Sequence, residues 1–263
     1  MKERKMLMDV AAFFGVEDAP DFGLYSAPHL VGIGLFVLLM VALYAGRRQI
    51  RSSAFTKKVI RYGLLGVLLA SEIALNLWYV LAEQWDITDT LPLELCSVSL
   101  LLSIVMLLTR NRLLYQILFF AGIGGALQAW LTPSLDFGYP HFRFFHFFIA
   151  HAAIILASLY MTWIEQYRPT WRSIGWAMLF LNILALAVGA LNHAIGANYM
   201  FLRSKPSTPS MLDLFGPYPY YLLAEEAIAL VMFTGMYVLF FWIPDRRRRA
   251  ARQSEGKGRG VQG

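Results

Sequence analysis

Charge is what this sequence has least of. Only 15% of its 263 residues are Asp, Glu, Lys or Arg, while 58% are hydrophobic. A soluble globular chain carries about 25% charged and 45–50% apolar residues, so lipid is the implied solvent. The same shortage excludes a disordered chain, and nothing in the composition suggests a collagen-like fibre. Cysteine is nearly absent too. With Cys96 alone, the chain has no internal disulfide and no multi-cysteine zinc site. No internal repeat is visible, no cofactor is expected, and no folded basic reading surface points to nucleic acid.

What is present is a series of apolar runs, each near the ~20 helical residues that cross a hydrocarbon core. Seven are expected, over Pro28–Gly46, Ile60–Leu81, Leu93–Thr109, Leu113–Leu131, Phe144–Ile164, Ile174–Ala197 and Tyr220–Ile243. Clusters such as Gly46-Arg47-Arg48, Arg110-Asn111-Arg112 and Tyr167-Arg168-Pro169 separate them. The fold class is therefore all-α, a polytopic membrane protein with a seven-helix domain over residues 28–244. Residues 1–27 form an N-terminal segment, in which Met6, Leu7, Val10, Phe13 and Phe14 repeat at the spacing of an interfacial helix. Residues 245–263 form a basic, disordered tail.

Lys and Arg are retained on the cytoplasmic side of short loops. Most of the 23 basic residues fall in alternate connections, at Arg47, Arg48, Arg51, Lys57, Lys58 and Arg61, then Arg110 and Arg112, then Arg168 and Arg172, then the tail from Arg246. The connection from Glu83 to Pro92 has none. The C-terminus is thus expected in the cytoplasm and, after seven crossings, the N-terminus outside.

On this topology the costly polar residues gather in the outer half of the bilayer. Cys96 lies ~5 Å inside the third helix by helical rise. His146 and His151 lie in the outer half of the fifth, Asn192 and His193 near the end of the sixth, and Glu225 and Glu226 at the start of the seventh. Glu72 and Asn76 occupy the outer half of the second, His29 opens the first and Gln128 closes the fourth. The inner half is almost wholly apolar. Packing alone gives no reason for that segregation.

Helical phase orders these groups further. Glu72, Asn76, Tyr79 and Glu83 share a face, as do Cys96, Ser99 and Ser103. His146 and His151 stand roughly 140° apart, so one at most points to the centre of a common site. That spacing argues against a helical metal pair, and no metal is expected. A lone membrane cysteine is more often packing than chemistry. Here, however, Leu91-Pro-Leu-Glu-Leu-Cys96 sits at a loop-to-helix junction, where helix N-terminal amides stabilise a thiolate. His151 alone reads as an interhelical hydrogen-bonder and Glu72 as a partner of Asn76 or His151. The long connection after the sixth helix, with Asn198, Tyr199, Arg203 and Lys205, is rich in aromatics and proline. Its length suits either a functional loop or a simple cap, and its two bases suit a lipid phosphate.

These stretches, together with Pro140-His-Phe-Arg-Phe-Phe-His-Phe-Phe-Ile-Ala-His151, Asn198-Tyr-Met-Phe-Leu202 and Gly216-Pro-Tyr-Pro-Tyr-Tyr221, resemble the YwaF family of bacterial integral membrane proteins. That family is related to the eukaryotic transmembrane protein 164 family. The likeness runs from about Phe22 to Ile243. It implies a multi-pass protein of the bacterial plasma membrane whose eukaryotic relatives are cysteine-dependent acyltransferases of phospholipids, the cysteine matching Cys96 and the histidine His151. One departure is Glu94, where histidine is expected before the Leu-Cys pair in many bacterial members.

The expected activity is acyl transfer or acyl hydrolysis on membrane phospholipid. Cys96 and His151 are the expected nucleophile and base, Asn192 or Asn76 the oxyanion donor, and Arg143, Arg203 and Lys205 the phosphate ligands. His29, Glu72, Gln128, His146, Asn198, Tyr199 and Glu225 complete the expected substrate surroundings. The alternative is a transporter or receptor using the same polar cluster as a ligand pocket, with Glu72 or Glu225 as its ion site. A third reading is an accessory protein whose cluster only stiffens the bundle.

Overall fold

A computed structural model of the chain describes residues 13–17, 19–205 and 211–249. The interfacial helix expected near the N-terminus lies outside the described residues except for Phe13 and Phe14, and so does the tail from residue 250. Helices dominate: α1 (Ala27–Ser52), α2 (Ala54–Leu81), α3 (Leu95–Thr109), α4 (Arg112–Leu131), α5 (Phe142–Trp163), α6 (Trp171–Ile195) and α7 (Tyr220–Tyr237). The last passes through a π-helical turn, Val238–Trp242, and runs on as helix to Arg249. Residues 245–249, placed by the sequence in a disordered tail, are therefore helical.

Six of these helices are long and apolar enough to cross a membrane, and α3 is the exception at 15 residues. It spans ~22 Å against a ~30 Å hydrocarbon core. Pro92 and the non-helical backbone around it delay its start to Leu95. Elsewhere helices outrun the apolar runs. α1 continues past Gly46 because Arg47 folds its guanidinium 3.6 Å above the Tyr44 ring, and Arg51 Nε donates to Trp163 O at 2.6 Å. Long basic side chains thus stay useful at a helix end near the interface.

Local chemistry sets the tight turns. Arg110 takes a left-handed conformation (φ 54°), and Asn111 Oδ1 then accepts from Leu113 and Leu114 N–H, closing α3 and opening α4. Thr170 and Ser173 form a capping box for α6. Arg168 pairs with Asp245 at 2.8 Å and Tyr167 OH donates to Arg110 O. The basic connections therefore meet at one end of the bundle; the longer loops occupy the other.

The centre is α4, and its glycines explain why. A Cβ on Gly122 would meet Ile154 of α5 at 3.4 Å; on Gly124 it would meet Met232 of α7 at 2.6 Å; on Gly125 it would meet Leu95 of α3 at 3.2 Å. Three partners approach one helix through three missing side chains. At the loop-rich end the N-terminal segment straps down the bundle. Gly138 N–H donates to Pro20 O at 2.6 Å, Phe22 N–H to Asp136 O, Trp78 Nε1 to Phe14 O and His141 Nε2 to Gly15 O. Any Cβ on Gly138 would lie 2.4 Å from Asp21 O, so only glycine admits this crossing.

Candidate functional site

The antiparallel register of α4 and α5 fixes depth. Tyr115 OH bonds Thr162 Oγ1 at 2.9 Å, Ser158 Oγ donates to Leu118 O at 3.4 Å, and Gly122 abuts Ile154. Moving three residues toward the loop-rich end on each helix keeps the pair level, because each advances ~4.5 Å. Gly125 is therefore level with His151. Phe147, His151, Ile154 and Ser158 share the face of α5 that meets α4. On the adjacent face of α4, about 60° round from the Gly122–Ile154 contact by helical phase, the Cys96 sulfur lies 3.7 Å from where a Gly125 Cβ would stand. Cys96 and His151 thus approach the same point of α4 from α3 and α5.

Cys96 is also deeper than its place in α3 suggests. It is the second residue of that helix, yet ~9 Å of α4 separates the Gly125 level from Leu131. The non-helical segment before α3 enters the bundle because protein covers it, as backbone at membrane depth requires. Leu91 and Leu93 pack on Val188, Ala197 and Tyr199. Tyr199 OH accepts from Leu91 N–H at 2.9 Å and donates to Ile87 O at 2.8 Å. Asn192 holds Tyr199 by both backbone groups, Nδ2 donating to its carbonyl and Oδ1 accepting its N–H.

The first turn of α3 keeps its amides free. The first intrahelical bond runs from Val98 N–H to Glu94 O at 3.0 Å, and the Glu94 side chain does not cap the helix. Leu95, Cys96 and Ser97 therefore present N–H groups at the positive end of the helix dipole. Glu94 instead accepts Met200 N–H at 3.1 Å. One and two turns below Cys96, the buried Ser99 and Ser103 hydroxyls have no hydrogen-bond partner.

The histidines divide into two kinds. His29 accepts Tyr25 N–H at Nδ1 and donates from Nε2 to Trp130 O, both at 3.0 Å. His141 accepts Arg143 N–H at Nδ1, capping α5, and donates to Gly15 O. Both are saturated. His146 donates from Nε2 to Ser71 O, which leaves Nδ1 buried and unpartnered. His151 places Nδ1 2.6 Å from Phe147 O. A carbonyl only accepts, so the proton sits on Nδ1 and Nε2 is left as a bare acceptor with no partner among the described residues.

A cavity of about 1460 Å³ opens between α4, α6 and α7. Glu94, Gln128, His193, Arg203 and Glu225 line it, and Ala121, Met232 and Phe233 line it farther down their helices. Leu95 and Gly125 belong to its wall, whereas Cys96 does not. Asn182 Nδ2 crosses from α6 to donate to Glu226 Oε1 at 2.8 Å within it. Asn182 was not singled out from the sequence. A lone amide in the apolar middle of a helix is the signal that marks it. Gly125 carried no such signal, since its role depends on what two other helices bring to it.

The remaining expected site residues scatter. Asn76 Nδ2 donates to Glu72 Oε1 along one helix, so that carboxylate is bound to the amide and not to His151. Arg143 lies 5.5 Å from the Trp78 ring and 5.4 Å from that of Tyr79, on the α2 side of α5, away from the cavity. Asn198 folds its own loop by accepting Arg203 and Ser204 N–H. Lys205 faces Asp213 at 3.7 Å. Asn192 and Tyr199 thus have their polar atoms committed to structure, and the Asn76 Nδ2 has both its donors committed to Glu72. Among the described residues no group of three or more His, Cys, Asp or Glu is placed to hold a metal.

A protein of Treponema pallidum (strain Nichols), described only as uncharacterized, is 27% identical over 183 residues, 67% of this chain and 72% of its own length. No solved structure matches. The family profile described as TMEM164 family matches residues 24–237, a stretch that contains Cys96, His151 and every helix that walls the cavity. The chain belongs to the TMEM164 family and is a multi-pass membrane protein.

Proposed function

We propose that the protein is a membrane-embedded acyltransferase or acyl hydrolase acting on phospholipid, with Cys96 as nucleophile, His151 as base, and the loop-rich end facing away from the cytoplasm. The observation that carries this reading is the meeting at Gly125: the Cys96 sulfur lies 3.7 Å from where its Cβ would stand, and His151, its Nδ1 engaged by Phe147 O, stands level with it on the adjacent helix α5. The basic connections at the opposite end support the orientation.

Chemistry follows from these groups. Cys96 gives its proton to His151 Nε2, and the thiolate attacks the ester carbonyl while the free amides of α3 and the Ser99 hydroxyl donate to the oxyanion. The C–O bond breaks, the departing lysolipid oxygen takes the proton from His151, and an acyl thioester remains on Cys96. An acceptor hydroxyl then gives its proton to His151, attacks the thioester and restores the thiol. The acceptor is a lysolipid for transfer and water for hydrolysis. Asn192 and Asn76 are left out of this scheme, and Arg203 at the cavity replaces Arg143 and Lys205 as the phosphate ligand.

Intact-mass measurement of the purified protein after incubation with phospholipid tests it. Wild type gains one acyl mass that hydroxylamine removes, and Cys96→Ala gains none. Undiminished turnover by Cys96→Ala overturns the reading. The Asn182–Glu226 bond in the cavity favours one competitor, a transporter with a protonatable site in its path. Proteoliposome uptake abolished by Glu226→Gln but indifferent to Cys96→Ala would select it.

A further inference from the structure

The cavity and the thiol share a boundary one residue thick. Gly125 lines the cavity, and so does Leu95, while Cys96 lies just behind them. The space a Cβ would occupy at Gly125 is bounded by Leu95 Cδ2 at 3.2 Å and by the Cys96 sulfur at 3.7 Å. The missing side chain is what separates a packed helix contact from an opening between α3 and α4. His151, itself nine-tenths buried, presents an unpartnered ring nitrogen on the α4-facing side at the same level. One turn below Cys96 the Ser99 hydroxyl is buried with no partner, and a buried polar group without a partner is costly unless something else completes it.

We infer that Gly125 is the window through which a molecule in the cavity reaches the Cys96 thiol, with Leu95 as its movable jamb. Gly125 is a positioning residue: it contributes no chemistry, and its lack of a side chain decides whether the nucleophile can be approached. The inference rests on the cavity being the substrate chamber, as the acyl-transfer reading holds. A methyl group at this position narrows the gap to ordinary van der Waals contact with the sulfur, and a branched side chain fills it. The neighbouring Gly122 is equally tight, its Cβ position lying 3.3 Å from Leu118 and 3.4 Å from Ile154. It faces α5, however, and does not line the cavity.

The test labels Cys96 with the charged reagent 2-sulfonatoethyl methanethiosulfonate, added outside nanodiscs that hold the full chain, and follows the mass of the resulting disulfide. Wild type is modified. Gly125→Ala slows the reaction about tenfold and Gly125→Val blocks it, as expected for a side chain placed in the approach path. Leu95→Ala speeds it, and Gly122→Ala leaves it at the wild-type rate. Labelling after denaturation confirms an intact thiol in each case. A Gly125→Val protein that reacts as fast as wild type overturns the window, and so does a wild type that never reacts until denatured. If Gly125→Val fails to fold, Gly125→Ala and Leu95→Ala still decide the matter by moving in opposite directions. A wild type that labels but forms no acyl adduct keeps the window and removes the acyltransferase. A Gly125→Val protein that resists the label yet keeps full acyl turnover does the reverse.

Discussion

The N-terminal strap and the α3–α4–α5 seam are both rich in polar side chains, and they treat them in opposite ways. In the strap, His29 and His141 use both ring nitrogens, Trp78 Nε1 reaches Phe14 O, and the backbone of residues 20–22 pairs with residues 136–138. In the seam, Ser99 and Ser103 have no partner and His151 keeps one nitrogen free. A saturated polar group fixes structure, while an unsaturated buried one costs about 1–3 kcal/mol and invites completion from outside. Two histidine-bearing regions of one membrane protein therefore have different jobs.

The largest effect should come from breaking the seam. Cys96→Ala and His151→Ala are each expected to lower acyl turnover by ~10³-fold or more, with helix content and melting temperature close to wild type. Turnover per mole of folded protein, measured with a labelled phospholipid, checks this. Breaking the strap should do the converse. His29→Ala leaves Tyr25 N–H and Trp130 O unpaired and is expected to lower stability by about 2–5 kcal/mol. Turnover of the molecules still folded should change little. A thermal melt in detergent read beside turnover separates the two, and a His29 variant that kept its melting point but lost turnover would erase the contrast.

How far the sequence reveals this contrast depends on the kind of information each part needs. Among the described residues the apolar runs coincide with seven helices, six of them long and apolar enough to cross a membrane, because solvation by lipid acts on composition alone. They overstate α3, where Pro92 and Glu94 hold Leu93 out of the helix. The stripe of Cys96, Ser99 and Ser103 follows from helical phase, and so does the divergence of His146 from His151, the former turned to Ser71 of α2 and the latter to α4. What the sequence hides is partnership. Asn192 looks like an oxyanion donor and instead clamps Tyr199, seven residues away in a loop whose fold no periodicity describes. Gly125 looks like any helical glycine until α3 is placed against it.

A smaller effect sharpens the seam itself. Ser99→Ala removes a buried hydroxyl that bonds to nothing in the resting protein, so stability should stay level or rise by up to ~1 kcal/mol. Turnover should fall, by about 10- to 100-fold, since the hydroxyl becomes useful only when an oxyanion forms beside Cys96. A structural serine would show the opposite pattern, losing stability while keeping its rate. The same substitution at Ser103, one turn farther from the sulfur, is expected to leave both quantities near wild type.

The smallest effect concerns pH and belongs to the strap. His141 works in its neutral form, accepting Arg143 N–H at Nδ1 while donating to Gly15 O, and burial lowers its pKa below the ordinary 6.5, against the opposing pull of the Gly15 and Phe14 carbonyls. A protonated ring would turn a donor toward the amide it caps. Because the folded pKa lies below the unfolded one, the unfolded chain binds more protons in the intervening range. The contribution of His141 is thus complete above the unfolded value and declines as pH falls through the folded one. Hydrogen exchange of residues 13–17 and 19–26, corrected for the intrinsic rate, should therefore be faster at about pH 5 than at about pH 7.5, with exchange in α4 unchanged. His141→Asn, whose amide accepts the same N–H and carries no titrating proton, should flatten that dependence. A strap whose exchange ignores pH in wild type, or keeps its full pH dependence in His141→Asn, would show that another group holds it down.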